Sequence, residues 1–406
     1  MTESGAKVAV VLSGGGAYGA FEVGVLKALC GGECATTDCK PLDADVFTGT
    51  SVGSFNAAVM CMQPGVAAVD TVKHLEEIWL NRVAYRPSEG GTNGVYRLRG
   101  NPMRYLDLSF EDPARALLET ANDATYLTRE WLNRFASILS TPGSFQRRAM
   151  GLVDLSSFIS VEPFQRLLAE NLQLDPIRAP GGPALRIILT DWSTGEPKIF
   201  DNSDMTDEQG RLIVMGSSAI PGIFPPVKIG NDLYVDGGVV MNTPLTTALE
   251  AGAEELHVIY LDPDVSKIPV AQMPNTIDTF SRMYTIMLAT SINEDIATAS
   301  WINGGLETME KVELGVELTT EDQRRFIRVA GKIAESLQAG KPYKKLKIHR
   351  YNPSEDLGGL VGMLNFTEPR VRSLIEKGYE TGVNHNCKDS GCLIPKEVRR
   401  AAHETG

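Results

Sequence analysis

Two short apolar runs, each breaking off into a glycine-rich turn that opens a helix, constrain this chain more than any other feature. Val8-Ala9-Val10-Val11-Leu12 is continuous, β-branched and short, the pattern of a strand buried on both faces. It leads into Ser13-Gly14-Gly15-Gly16-Ala17-Tyr18-Gly19, and then into Phe21, Val25, Leu26 and Leu29 at helical spacing. The second run, Ala44-Asp45-Val46-Phe47-Thr48, leads into Gly49-Thr50-Ser51-Val52-Gly53, and Ser54 to Met60 reads as a helix start. Strand, loop and helix repeated in this way imply an α/β fold with a parallel sheet. With 43% hydrophobic and 22% charged residues among 406, the chain can bury a large core around such a sheet.

Further elements follow the same texture. A helix is expected at about 67–80, a strand at Leu185–Thr190 with a hairpin partner at Glu196–Phe200, and a helix at about 211–219 ending before Pro221. Asp232-Leu233-Tyr234-Val235 reads as a short strand running into Asp236-Gly237-Gly238, and Leu256–Leu261 as another strand. Gly90-Gly91, Asn93-Gly94 and Gly100-Asn101-Pro102 mark an irregular insertion at about 81–150, read either as a lid or as a plain loop-and-helix connection. These elements make a core over 7–262 and a mainly helical extension over 263–406 packed on it. In that extension, helices are expected at 276–303, 320–337 and 368–378, with a strand returning at about 346–351 and a loosely held tail from Asn384. The stripe Ile277, Phe280, Met283, Tyr284, Met287 reads as core or a homodimer contact before a lipid-docking face.

The net charge of −12 argues against a nucleic-acid partner and weakens any general attraction to anionic membranes. The first seven residues lack an apolar signal-peptide core, and no run approaches the ~18 apolar residues of a membrane span, so a cytoplasmic location is expected. Six cysteines do not make a disulfide framework. Cys30, Cys34 and Cys39 cluster in one loop, and Cys387 and Cys392 lie near the end. A zinc site or disulfide joining the two groups stays open, but the spacings are not the tight pairs of common zinc sites, and ordinary reduced thiols are the better reading.

The two loops carry the chemistry. Gly-x-Ser-x-Gly between a strand and a helix puts a serine on a sharp corner, with near side-chain-free flanks at Gly49 and Gly53. The first loop can hold negative charge on main-chain amides at a helix start. It also matches the dinucleotide fingerprint through Gly14, Gly16 and Gly19, but the acids available for a ribose, Glu33 and Asp38, lie in a loop, and the second strand ends in the serine turn. None of His74, His257, His349, His385 and His403 sits in an evident loop at a strand end, where a base for serine would be presented. Asp236 does, although Asp-Gly-Gly alone is a common turn.

At this point the chain resembles the patatin-like phospholipase family. The likeness rests on Val10 to Gly19, on Gly49 to Ala58, and on Ser217 to Pro226 followed by Val235 to Pro244, in that order. The resemblance implies a three-layer α/β/α sandwich with a mostly parallel central sheet. It implies a dyad of Ser51 as nucleophile and Asp236 as base, with an oxyanion hole from the N–H groups of Gly14, Gly15 and Gly16. Gly19, Gly49, Gly53, Gly237 and Gly238 support the motifs. The implied activity is lipid acyl hydrolysis of the phospholipase A or lysophospholipase type, without metal or cofactor, on a phospholipid or other acyl lipid met by peripheral membrane contact. A transacylase using the same serine and a non-catalytic nucleotide-binding module are the alternatives. The chain departs from the pattern at Tyr18, where many relatives carry arginine.

Overall fold

The computed structural model describes residues 6–85, 93–99, 113–140, 158–261, 276–338, 343–355 and 357–396. Among the described residues ten strands form: β1 (Val8–Leu12), β2 (Val46–Thr50), β3 (Arg97–Leu98), β4 (Ile159–Ser160), β5 (Ala184–Asp191), β6 (Pro197–Asp201), β7 (Val227–Ile229), β8 (Asp232–Asp236), β9 (Glu255–Ile259) and β10 (Lys347–Tyr351). Eight make one sheet in the order β10–β9–β1–β2–β5–β8–β7, with β6 pairing on β5. From β10 to β5 every neighbour is parallel, and β6, β7 and β8 add an antiparallel end. Helices cover the sheet, giving a mixed α/β fold of the sandwich type. β1 and β2 sit at its middle, buried on both faces, which is why their sequences run apolar without alternation.

The helix α1 (Gly19–Cys30) is buried nearly all round. It lies between the sheet and the helix Glu368–Val383, and the two helices meet at Gly24 and Gly378. A Cβ on Gly378 would fall 2.0 Å from Phe21 O, and one on Gly24 the same distance from Ile375 O. Helices this close need glycine at the crossing, so the extension is seated by the first helix of the core. β10 extends the same sheet beyond β9, in register from Lys347 against Glu255 to Tyr351 against Ile259. The other early helices are α2 (Val52–Met60) and α3 (Ala68–Ile78), the latter running into a π-turn over Trp79–Val83.

One expectation is filled in and another changes. Part of the irregular insertion is a 28-residue helix, Pro113–Ser140. It is tied down by Asp123, which accepts from the buried Arg97 of β3 at 2.6 Å, while Arg97 also reaches Glu162 at 2.9 Å. Much of the remaining span proposed as a lid lies outside the described residues. The tail from Asn384 is not loose as far as residue 396, because Leu393 and Ile348 exchange both backbone hydrogen bonds at 2.8 and 2.9 Å. Of the apolar stripe at 277–287, Met283 is exposed, and the other side chains lie outside the described set. No described helix is long and apolar enough to cross a membrane.

Candidate active site

Register explains how residues distant in sequence meet. Thr50 of β2 lies beside Ile188 of β5, and the next residue of β5, Leu189, pairs with Asp236 of β8. Ser51 and Asp236 therefore leave the sheet from neighbouring positions at one end. Ser51 has φ 53° and ψ −125°, a conformation an L-residue adopts only under constraint. Its N–H donates to Ser217 Oγ at 2.9 Å, and that hydroxyl donates to Ile188 O at 2.7 Å. Its carbonyl accepts from both the N–H and the hydroxyl of Ser54. Gly49 and Gly53 let the corner close: a Cβ on Gly49 would lie 2.2 Å from Gly53 O, and one on Gly53 2.5 Å from Leu12 O.

Asp236 is fully buried. Its N–H donates to Ala219 O, its carbonyl accepts from Thr190 Oγ1, and its Oδ1 accepts from Gly238 N–H at 2.7 Å. Burial pushes its carboxyl up to about 7, against smaller lowering from the Ser51 hydroxyl and the Gly238 N–H. Ser51 is thus near enough to act on the carboxyl electrostatically, yet Oδ2 of Asp236 has no hydrogen-bond partner. The two residues leave the sheet side by side, and no hydrogen bond joins their side chains. Catalytic hydrogen bonds commonly tighten only once substrate is present.

The segment 241–244 stitches the three sequence blocks together. Thr50 Oγ1 donates to Met241 O, Gly14 N–H donates to both the backbone O and Oδ1 of Asn242, and the hydroxyls of Ser13 and Thr243 meet at 2.8 Å. This corrects one detail of the sequence expectation. The Gly14 N–H is engaged by Asn242, so it is not a free oxyanion donor. The N–H groups of Gly15 and Gly16 take part in no hydrogen bond among the described residues. Gly19 packs on α2, its carbonyl accepting from Asn56 Nδ2, and the Gly237 carbonyl accepts from Val240 and Met241. Asn242 and Ser217 both stand in the motif blocks, but nothing in their residue type announced that one would hold the glycine loop and the other the elbow.

Beside Ser51 opens a cavity of about 250 Å³, bounded by Gly16 and by apolar side chains that include Phe55, Phe164, Met215, Phe224 and Met363. Met363 comes from the far end of the chain. Tyr18 explains how it is held: its hydroxyl donates to Leu357 O (2.7 Å) or Gly359 O (2.6 Å), anchoring the turn that leads to Met363. The phenol at Tyr18 thus fastens the extension to the glycine loop. An apolar cavity of this kind suits hydrocarbon and gives no support to a pyrophosphate. Glu33, one acid considered for a ribose, instead accepts from the Tyr379 hydroxyl.

None of the six cysteines is in a disulfide. Cys30 and Cys34 are buried, Cys39 is exposed, and burial raises the Cys30 thiol to about 12.

The fold and this corner define an α/β/α protein with a strained serine at a strand-to-helix turn and a buried aspartate beside it. The family model of patatin-like phospholipases matches residues 10–249, more than half of the chain. The protein belongs to the patatin-like phospholipase family. Among solved structures it is similar to the crystal structure of VipD from Legionella pneumophila, at 14% identity and a TM-score of 0.39, over 93% of this chain and 66% of that one. The chain thus spans just under two thirds of that relative's length, and a likeness of this degree does not bear on function.

Proposed function

We propose that the protein is a serine-dependent lipid acyl hydrolase, of the phospholipase A or lysophospholipase type, working through a Ser51–Asp236 dyad. The observation that carries this reading is the placement of a strained Ser51 between a buried carboxyl and an apolar cavity. The acyl chain lies in the cavity and its ester carbonyl faces Ser51. Ser51 Oγ attacks the carbonyl carbon as its proton passes to Asp236. The oxyanion accepts from the free N–H groups of Gly15 and Gly16, aided by the start of α1. The carbonyl reforms, the C–O bond to the alcohol or lysolipid breaks, and Asp236 returns its proton to the leaving oxygen. Water then attacks the acyl-enzyme, again with Asp236 as base, releasing fatty acid and restoring Ser51.

A carboxylate with an ordinary pKa is a weak base for a serine hydroxyl. Burial of Asp236 brings its pKa close to neutral pH, where it can both take and return a proton. The test is hydrolysis of phospholipid and simple acyl esters by wild type and Ser51→Ala, together with fluorophosphonate labelling. Labelling of Ser51 and a loss of at least about 10³-fold in the variant are expected. Ester hydrolysis that survives in Ser51→Ala, or an unlabelled Ser51 in protein that hydrolyses lipid, rejects the dyad. Transfer of acyl groups to an added alcohol in preference to water identifies a transacylase instead.

A further inference from the structure

At the opposite edge of the sheet, four side chains that the ester chemistry does not use converge. His349 lies on β10, the outermost parallel strand. His385, Cys387 and Cys392 lie on the segment that follows the helix Glu368–Val383. Cys392 Sγ is 3.3 Å from His385 Nε2, while Cys387 Sγ is 3.5 Å from His349 Nδ1 and 3.6 Å from His385 Nε2. All four donor atoms lie within 4.8 Å of one another. A tetrahedral zinc with Zn–S near 2.3 Å and Zn–N near 2.0–2.1 Å separates N from S by about 3.5 Å and S from S by about 3.8 Å. The three sulfur–nitrogen distances fall on that spacing.

We propose that His349, His385, Cys387 and Cys392 form a structural zinc site that clamps the segment 384–396 onto the β10 edge. The surroundings fit such a centre. His349 Nε2 stands 3.5 Å from Glu255 Oε1 with no hydrogen bond between them, close enough for that carboxylate to orient the ring once Nδ1 binds the ion. Glu255 is held in turn by Lys347 at 2.9 Å. The Arg350 N–H donates to Cys392 Sγ at 3.3 Å, which suits a thiolate. Tyr351 packs on the His385 ring at 4.6 Å between centroids. His349 is buried, and the other three are half-buried, leaving a path for the ion. Four protein donors complete the tetrahedron without an open position, which marks the site as structural rather than catalytic.

The clamp also answers a question of stability. Asn384 to Cys392 contains no Val, Leu, Ile, Met, Phe, Tyr or Trp, yet it is laid against an edge strand by one bridge, Ile348 with Leu393. Metal binding can supply ordering energy that apolar burial cannot provide here, and it covers a parallel edge that would otherwise pair with other chains. Binding requires both cysteines as thiolates and releases their two protons to solvent.

The test uses the full chain. Elemental analysis of purified protein is expected to give about one zinc per chain. Replacement by Co²⁺ is expected to give the visible bands of a tetrahedral ion and the near-ultraviolet charge-transfer bands of two thiolates. Both should vanish in Cys387→Ser/Cys392→Ser and persist in Ser51→Ala and Cys39→Ser. If the double variant does not fold, the wild-type Co²⁺ spectrum decides. Thiolate charge transfer that is lost on chelation and restored by Co²⁺ supports the site. A Co²⁺ complex without thiolate bands, zinc retained unchanged in the double variant, or a Cys387–Cys392 disulfide in the isolated protein overturns it.

Discussion

The two places where functional groups converge are built from different materials. At the ends of β1, β2 and β8 the parts of the proposed ester site are largely main chain: N–H groups of Gly15 and Gly16 without a hydrogen bond among the described residues, a serine held at positive φ, and a carbonyl at Gly14 tied to Asn242. At the β10 edge the parts are side chains alone, two imidazoles and two thiols on ordinary backbone. A main-chain site needs glycines where a Cβ would collide, and it needs them next to one another. A side-chain site needs only that separate stretches of chain pass close by. The first tolerates few substitutions around it, and the second stands or falls on four residues.

Asp236→Asn is the largest perturbation of the first region. It should lower kcat by about 10²–10⁴-fold, the usual contribution of a positioned base, and leave any Co²⁺ spectrum of the His–Cys cluster unchanged. It should also raise stability. In the folded protein the carboxyl titrates near 7, whereas the unfolded chain has it near 3.8. Between those values the folded state binds the extra proton, so this group's contribution falls as pH rises and is most unfavourable above about 7. The asparagine variant should therefore exceed wild type by roughly 2–4 kcal/mol at pH 8, a gain that shrinks toward zero near pH 4. Denaturant curves at the two pH values measure it. An equal stability change at both would show that the carboxyl is not held protonated by burial. In wild type the same titration should give kcat/KM an acid limb near pH 7, with activity rising as Asp236 loses its proton, and Ser54→Ala should keep that inflection.

Gly53→Ala tests the main-chain character directly. The new Cβ would meet Leu12 O at 2.5 Å, so either β1 or the elbow must shift. Overpacking of this kind costs about 1–3 kcal/mol, and displacement of Ser51 should remove most of the activity. An alanine of normal activity there would mean that the elbow is not close-packed against β1.

The contrast also accounts for what was legible. Val8–Leu12 and Gly49–Gly53 could be read because burial on two faces and the closing of a corner leave contiguous marks. Asp236 could be read only through its neighbours, since Asp-Gly-Gly alone is an ordinary turn. Asn242's grip on Gly14 was hidden because an asparagine amide has no sequence signal for what it will meet. The His–Cys cluster was hidden for a stronger reason: His349 sits 36 positions before His385, inside a strand, where packing is the normal fate of a side chain. The sequence leaves open a link between the two terminal cysteines and Cys30, Cys34 and Cys39; Cys34 Sγ comes within 3.9 Å of the hydroxyl of Tyr351, which packs on His385, but none of those three joins the donor set. The helix at 113–140 falls within the loop-and-helix connection that the sequence allows, but the glycine pairs before it read as loop and leave its bounds unmarked.

Tyr18→Phe is a smaller test, and it joins the two halves of the chain. It removes the hydroxyl that reaches Leu357 and Gly359 from the glycine loop. Loss of one buried hydrogen bond should cost about 1 kcal/mol, and the wall at Met363 should loosen, raising KM for long acyl chains more than for short ones. An equal effect on both chain lengths would detach the phenol from the cavity wall.

The smallest expected effect separates strain from chemistry. Ser51 at φ 53° and ψ −125° costs of order 1–3 kcal/mol in backbone energy. Ser51→Ala removes the hydroxyl and keeps that cost, whereas Ser51→Gly removes both, offset by about 0.5–1 kcal/mol of added chain entropy in the unfolded state. The glycine variant should therefore be more stable than the alanine variant by about 1 kcal/mol, with both inactive. Serine to glycine at Ser390, on the clamped segment, should bring no such gain, because its φ is not positive. If Ser51→Gly is no more stable than Ser51→Ala, the elbow is not strained, and the pull that presents Ser51 to the cavity must come from its neighbours rather than from its own backbone.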